Sequence, residues 1–144
     1  DTKESLKAAD VEYRKAIETN PRFIPAYVRL GNLYLDHDYD KEATQVFQNA
    51  VLANDSDADA HYGLGVARQK AKQYDEAVKE FRRAIEINSD LYLAVYNLGM
   101  TYKAMDDKKN AKEWLQRFVQ TAGSRGGPDL VKAAQDAMYQ LDAP

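Results

Sequence analysis

The chain has 144 residues, 44% of them hydrophobic and 30% charged, with 20 Lys and Arg against 23 Asp and Glu for a formal net charge of −3. So small an imbalance excludes a strong electrostatic pull toward nucleic acid or acidic lipid, and the absence of cysteine excludes disulfides and thiolate metal sites. No apolar run approaches membrane-spanning length, so direct membrane insertion is not expected.

The length suits one domain covering 1–144. The chain opens at Asp1 with no signal-like segment, which reads as a processed protein or a piece of a longer one, soluble and leaning to the cytoplasm. Hydrophobic periodicity predicts eight helices, near 3–19, 24–36, 40–53, 58–70, 74–87, 92–104, 108–121 and 129–141. Asn20-Pro21 ends the first, because proline disfavours helix in the residue before it. Asp57 and Asp90 stand where N-caps are wanted. The longest break is Gly123-Ser124-Arg125-Gly126-Gly127-Pro128. Beyond it, Leu130, Ala134, Ala137, Met138 and Leu141 fall on one stripe of a last helix, which is expected to cap the exposed end of the preceding helices.

The elements repeat. Leu30-Gly31, Leu64-Gly65 and Leu98-Gly99 place the same dipeptide at a spacing of 34 residues, each inside a predicted helix. A helix-interior glycine costs roughly 1 kcal/mol against alanine. Its threefold use in register therefore points to a neighbour that approaches too closely for a side chain. Ala43, Ala77 and Ala111 share the same register, as do Phe47, Phe81 and Leu115. Ala50 and Ala84 do too, until Phe118 loosens the pattern.

Leu30-Gly31-x2-Tyr34, Leu98-Gly99-x2-Tyr102, Ala43-x3-Phe47 and Ala77-x3-Phe81 together resemble the tetratricopeptide repeat family, which has this period and this pattern. The family's Trp is replaced by Tyr27, His61 and Val95, and its terminal Pro survives only as Pro21. The resemblance spans about residues 7 to 121 and implies an all-α, right-handed superhelical solenoid of helix-turn-helix units with a C-terminal capping helix. The units fall at 24–57, 58–91 and 92–122, after an N-terminal half-repeat at 1–21 and before the capping helix at 129–141. The half-repeat corresponds to a second helix without its first, leaving Leu6, Ala9, Tyr13 and Ala16 partly uncovered.

A reaction centre is not legible. Hydrolysis or group transfer needs a nucleophile, a base and a stabilising group that converge; here there is no cysteine, and the two histidines are His37 and His61. His37 lies in the acidic turn Asp36-His37-Asp38 and lacks the ligand spacing of a zinc site. His61 holds the family's Trp position and is expected to pack between helices. Asp55-x-Asp57-x-Asp59 starts like a calcium loop, but Ala60 and Val66 stand where Gly and Glu are required. Gly63-x-Gly65 lies inside a helix with no preceding strand, so it is no dinucleotide fingerprint. No enzyme activity, metal or cofactor is expected.

The first helix of each unit carries a second apolar face. Tyr27, Leu30, Gly31 and Tyr34 form the stripe that packs inside the first unit, and Val28, Asn32 and Leu35 point roughly away from it. Their equivalents are Tyr62, Val66 and Gln69, then Tyr96, Met100 and Lys103, with Asn97 at the edge. A solvent-facing helix would be polar at these places. Stacking would join them into a strip fit for a protein partner, and the resemblance implies a concave groove that grips a peptide or a helix of a partner. The reading is a protein-protein interaction scaffold or adaptor. Tyr62→Ala and Tyr96→Ala are then expected to weaken partner binding while leaving the fold intact. The family's carboxylate clamp would fall on Val28, Asn32, Gly63, Leu93 and Asn97, where only Asn32 fits. Homo-oligomeric self-assembly is the alternative, through the uncovered N-terminal face or by docking in each other's groove. RNA reading, one base per helical repeat, is disfavoured by an apolar strip on an acidic chain.

Overall fold

The structure is a computed structural model that describes residues 2–144, and at 122 and 123 the helix only. Among the described residues there are seven helices and no strands: α1 (Thr2–Thr19), α2 (Ile24–Asp36), α3 (Asp40–Ala53), α4 (Ala58–Lys70), α5 (Tyr74–Ile87), α6 (Tyr92–Ala104) and α7 (Lys108–Asp142). They pack in sequence as hairpin pairs α2/α3, α4/α5 and α6/α7, each pair stacking on the next. Successive first helices touch, α2 with α4 and α4 with α6, whereas α3 and α5 do not approach each other. The stack therefore bends with its first helices on the inside.

The glycine spacing has the cause inferred for it. A Cβ on Gly31 of α2 would overlap the Phe47 ring, and so would a Cβ on Gly63 of α4. That ring, fully buried, is the wedge where the second helix of one unit meets the first helices of two. Phe81 sits 2.7 Å from the Cβ position of Gly65, and Leu115 sits 2.8 Å from that of Gly99. Ala43, Ala50, Ala77, Ala84 and Ala111 are all 0% exposed, letting helices close around each wedge.

Two turns recur with the same period. After each first helix a residue takes positive φ: Asp38 (61°), Lys72 (60°) and Asp106 (59°). The residue after it donates its backbone N–H back across the turn, Tyr39 to Tyr34, Gln73 to Arg68 and Asp107 to Tyr102, each at 2.9 Å. These bonds satisfy carbonyls that the helix end leaves open. After each second helix, Asn20, Asn54 and Asn88 accept the backbone N–H two residues on, at 3.2, 3.1 and 3.0 Å. Asp57 caps α4 as expected, accepting from Ala60 N at 2.9 Å. Asp90 does not cap α6, which starts after Leu91 with no side-chain cap. Asn88 has already closed that turn, and Asp90 instead faces Arg125 at 3.6 Å. Asp107 supplies a cap at α7, accepting from Asn110 N at 3.2 Å.

The expected six-residue break before the last helix shrinks to one point. α7 stays helical up to Gly127 (φ 79°, ψ 162°), bends there, and resumes at Pro128. Proline cannot follow a helical residue without strain, and glycine tolerates the left-handed φ that results. Gly126 is glycine for a different reason: a Cβ there would come 2.8 Å from Cζ of Phe118. Phe118, where the alanine register breaks, fills the space between α6 and this bend, its ring 6.5 Å from that of Tyr92. The second arm of α7 buries Ala134, Ala137 and Leu141 in the same core cluster as Leu98 and Leu115. At the other end, α1 has no buried residue and leaves Val11 53% exposed.

Candidate functional site

The inner face is built by α2, α4 and α6. Of the ten strip residues, Asn32 is exposed and Val28, Leu35, Tyr62, Val66, Gln69, Tyr96, Asn97, Met100 and Lys103 are half-buried. Val28 and Leu35 pack both against the α2/α3 core and against the cluster of Phe47, Leu64 and Ala67. Tyr62, Val66, Tyr96 and Met100 pack against the C-terminal core cluster.

The two tyrosines are not turned away from the packing, as the helical wheel placed them. The Tyr62 ring lies 5.9 Å from Phe81 and the Tyr96 ring 5.3 Å from Phe118. Each first helix has two neighbours, its own second helix and the next first helix. Its apolar arc must therefore be wider than a lone hairpin needs. Truncating either tyrosine opens a hole beside a core phenylalanine, so the expectation of an intact fold after Tyr62→Ala or Tyr96→Ala is withdrawn. Burial pushes both phenols above their ordinary range, opposed at Tyr62 by the hydrogen bond from Asn97.

The polar members of the strip tie neighbouring helices together. Asn97 Nδ2 donates to Tyr62 Oη at 2.9 Å, and Gln69 Nε2 donates to Thr101 Oγ1 at 2.9 Å. Lys103 Nζ donates to Gln140 Oε1 on the second arm of α7 at 2.5 Å. Lys70 Nζ reaches the Leu35 carbonyl at 2.8 Å and the Asp38 carboxylate at 2.9 Å. Asn32, at the N-terminal end of the face, is exposed and makes no such bond among the described residues. There a cleft of about 360 Å³ lies between α2 and the start of α4, lined by Val28, Asn32, Arg29, Asp57 and Asp59 among others. Arg29 was not singled out in the sequence, and Asp59 was read there only as part of the acidic turn Asp55-x-Asp57-x-Asp59. The available signal was the register, which puts Asp59 where Pro25 and Leu93 stand in the flanking units.

The histidines are structural. His61 is 7% exposed, with Nδ1 2.6 Å from Glu80 Oε2 and Nε2 2.9 Å from the Asp55 carbonyl. His37 is exposed, its Nδ1 2.8 Å from the Leu33 carbonyl at the end of α2. Among the described residues no group of three or more His, Cys, Asp or Glu could hold a metal ion, and no helix is long and apolar enough to cross a membrane.

Comparison with known proteins agrees with this geometry. Tetratricopeptide repeat models match residues 58–91 and 92–123. The chain is 30% identical over 115 residues to the human protein named protein O-mannosyl-transferase TMTC3, covering 79% of this chain and 13% of that protein. It is 33% identical over 104 residues to anaphase-promoting complex subunit 3 of Schizosaccharomyces pombe, covering 72% of this chain and 16% of that protein. The chain thus spans a small part of these relatives. Among solved structures, MamA superposes with a TM-score of 0.76 at 22% identity, over 97% of this chain and 88% of that one. YrrB, described as a tetratricopeptide repeat protein with an unusual peptide-binding site, superposes with a TM-score of 0.70 at 21% identity, over 98% and 80%. The period, the glycine-and-phenylalanine wedges, the family matches and the superposed folds agree, and the chain belongs to the tetratricopeptide repeat family.

Proposed function

We propose that this protein is a non-catalytic scaffold whose inner face, formed by α2, α4 and α6, takes an extended peptide or a helix of a partner protein. The observation that supports it is the inward stacking of the three first helices. Those helices touch in succession and carry Val28, Leu35, Tyr62, Val66, Tyr96 and Met100, each half-exposed. Half-exposed apolar residues in a concave row are a surface for burial against another chain. The transferase name of one relative describes a whole protein of which this chain spans 13%.

The test uses two variants that spare the tyrosines. Asn32→Glu with Met100→Lys alters the inner face, and Leu52→Lys alters an outer position that is 84% exposed. Partners captured by the unaltered chain should be lost on the inner-face variant and kept on Leu52→Lys. Capture that survives the first and fails on the second would overturn the reading.

A second reading is self-association through α1. It rests on that helix having no buried residue and on half-buried Leu6, Ala9, Tyr13 and Ala16 along it. A single monomeric mass in sedimentation across a wide concentration range would remove it.

A further inference from the structure

We propose that the cleft where the α5–α6 turn meets the first arm of α7 binds an oxyanion, a carboxylate or phosphoryl group carried on one side chain of a partner protein, with Arg117 and Arg125 taking the charge. None of the residues invoked belongs to the inner face, so the inference stands apart from the reading above. Three observations carry it.

The first is a cation whose counter-charge is missing. The Trp114 ring carries two guanidiniums, with Arg117 Cζ 4.8 Å and Arg82 Cζ 5.4 Å from its centroid. Neither meets a carboxylate among the described residues. Arg82 donates to Tyr102 Oη at 2.8 Å, whereas the Arg117 side chain makes no hydrogen bond among the described residues. Stacking on the indole orients the Arg117 guanidinium and leaves its N–H edge available. The register shows what is lost. Arg83 holds the place of Arg117 one unit earlier, and there Glu86 faces it at 3.3 Å. Gln120 stands in the place of Glu86. The third unit keeps the cation and drops the acid.

The second is another guanidinium that only this unit has. α5 ends at Ile87, and the same register would end α7 at Thr121. α7 runs on instead, and the added turn carries Arg125. Arg117, Thr121 and Arg125 are spaced i, i+4 and i+8, which puts them on one face of the helix. Thr121 Oγ1 donates to the Arg117 carbonyl at 2.7 Å, so its proton is spent within the helix.

The third is the cleft itself. It has a volume of about 240 Å³ and is lined by Arg117 and Arg125 together with Ser89 and Tyr92. That is room for one side chain, below the size of a site that encloses a drug-sized molecule. The Ser89 and Tyr92 hydroxyls make no hydrogen bond among the described residues and can donate to an oxyanion. Asp90 is the one acid in the described lining. It is 77% exposed and 3.6 Å from Arg125, outside hydrogen-bond distance. Two guanidiniums against one carboxylate leave the cleft with a net positive charge, so it attracts an anion and repels a cation. A partner's oxyanion takes the place of Asp90 on Arg125 and reaches Arg117 as well.

The experiment screens short peptides with random flanks and a central residue fixed as phosphoserine, glutamate or serine, at about 50 mM salt to limit screening. Peptides centred on phosphoserine or glutamate should be retained over those centred on serine, and whichever set is retained names the source of the oxyanion. Circular dichroism confirms that the variants fold. In fluorescence anisotropy a labelled winner should bind Arg117→Gln and Arg125→Gln each about tenfold more weakly, as for the loss of one hydrogen bond to a charged group. It should bind Asp90→Asn about threefold more tightly, because an exposed competing carboxylate is gone. Anionic sets retained no better than the serine set overturn the assignment. So do winners indifferent to both arginine variants, or binding to Asp90→Asn that is unchanged or weaker. Anionic winners lost only on the Asn32→Glu, Met100→Lys chain belong to the inner face and overturn it too.

Discussion

Replacing Gly63 by alanine isolates the contact that sets the repeat. The new Cβ would overlap the Phe47 ring, which is 0% exposed and already lies against Gly31 on the other side. The ring cannot back away from one helix without striking the other, so the cost belongs at the upper end for overpacking, about 3 kcal/mol. Removing a glycine from a helix interior returns about 1 kcal/mol. The net expected loss is about 2 kcal/mol, or roughly 4–8 °C in melting temperature for a chain of this size. Phe47→Leu shortens the wedge and should be destabilising alone. Combined with Gly63→Ala it should cost about 1–2 kcal/mol less than the sum of the two single changes. Denaturant unfolding followed by circular dichroism reports all helices. Trp114, the one tryptophan, reports α7 at the far end of the stack. A Gly63→Ala chain as stable as the original, or a double variant whose losses simply add, would refute the wedge account.

Three further outcomes are expected. Lys72 holds a left-handed backbone (φ 60°) that disfavours any side chain, so Lys72→Gly should stabilise by up to about 1 kcal/mol, read as a raised denaturation midpoint; an unchanged or lowered midpoint contradicts it. Asp57→Ala should cost about 1 kcal/mol through loss of the α4 cap, while Asp90→Ala, which removes no cap, should be near neutral in the same assay. The Asp107 carboxyl is held below its ordinary value, first by the Asn110 side-chain amide and then by the Asn110 backbone N–H. A group depressed in the folded chain contributes fully above its unfolded value, about 3.9, and loses that contribution as pH falls through the lower folded value. The melting-temperature gap between the original chain and Asp107→Ala should therefore be constant from about pH 6 to 8 and narrow below about pH 4. A gap that widens toward acid would reverse the sign and refute the assignment.

The period of Leu30-Gly31, Leu64-Gly65 and Leu98-Gly99, with the phenylalanines that follow, was enough to reach helix pairs, their register and the reason for the glycines. A helix-interior glycine has few physical excuses, and a repeat multiplies the evidence for one of them. The left-handed turns at Asp38, Lys72 and Asp106 were invisible, because none is glycine and the strain is sustained by the helices on either side. The break at Gly123–Pro128 was overread, because a glycine needed for contact with Phe118 looks in sequence like a glycine needed for a loop. Periodicity could also say which residues of α2, α4 and α6 avoid their own unit's central stripe, but not what lies beyond it. Only tertiary packing decided that Tyr62 and Tyr96 lean on Phe81 and Phe118, and that Gln69, Asn97 and Lys103 bridge to the next helix. Local patterning specifies direction about one helix axis. Whether a side chain meets solvent, a neighbour or a partner depends on where the other helices come to rest.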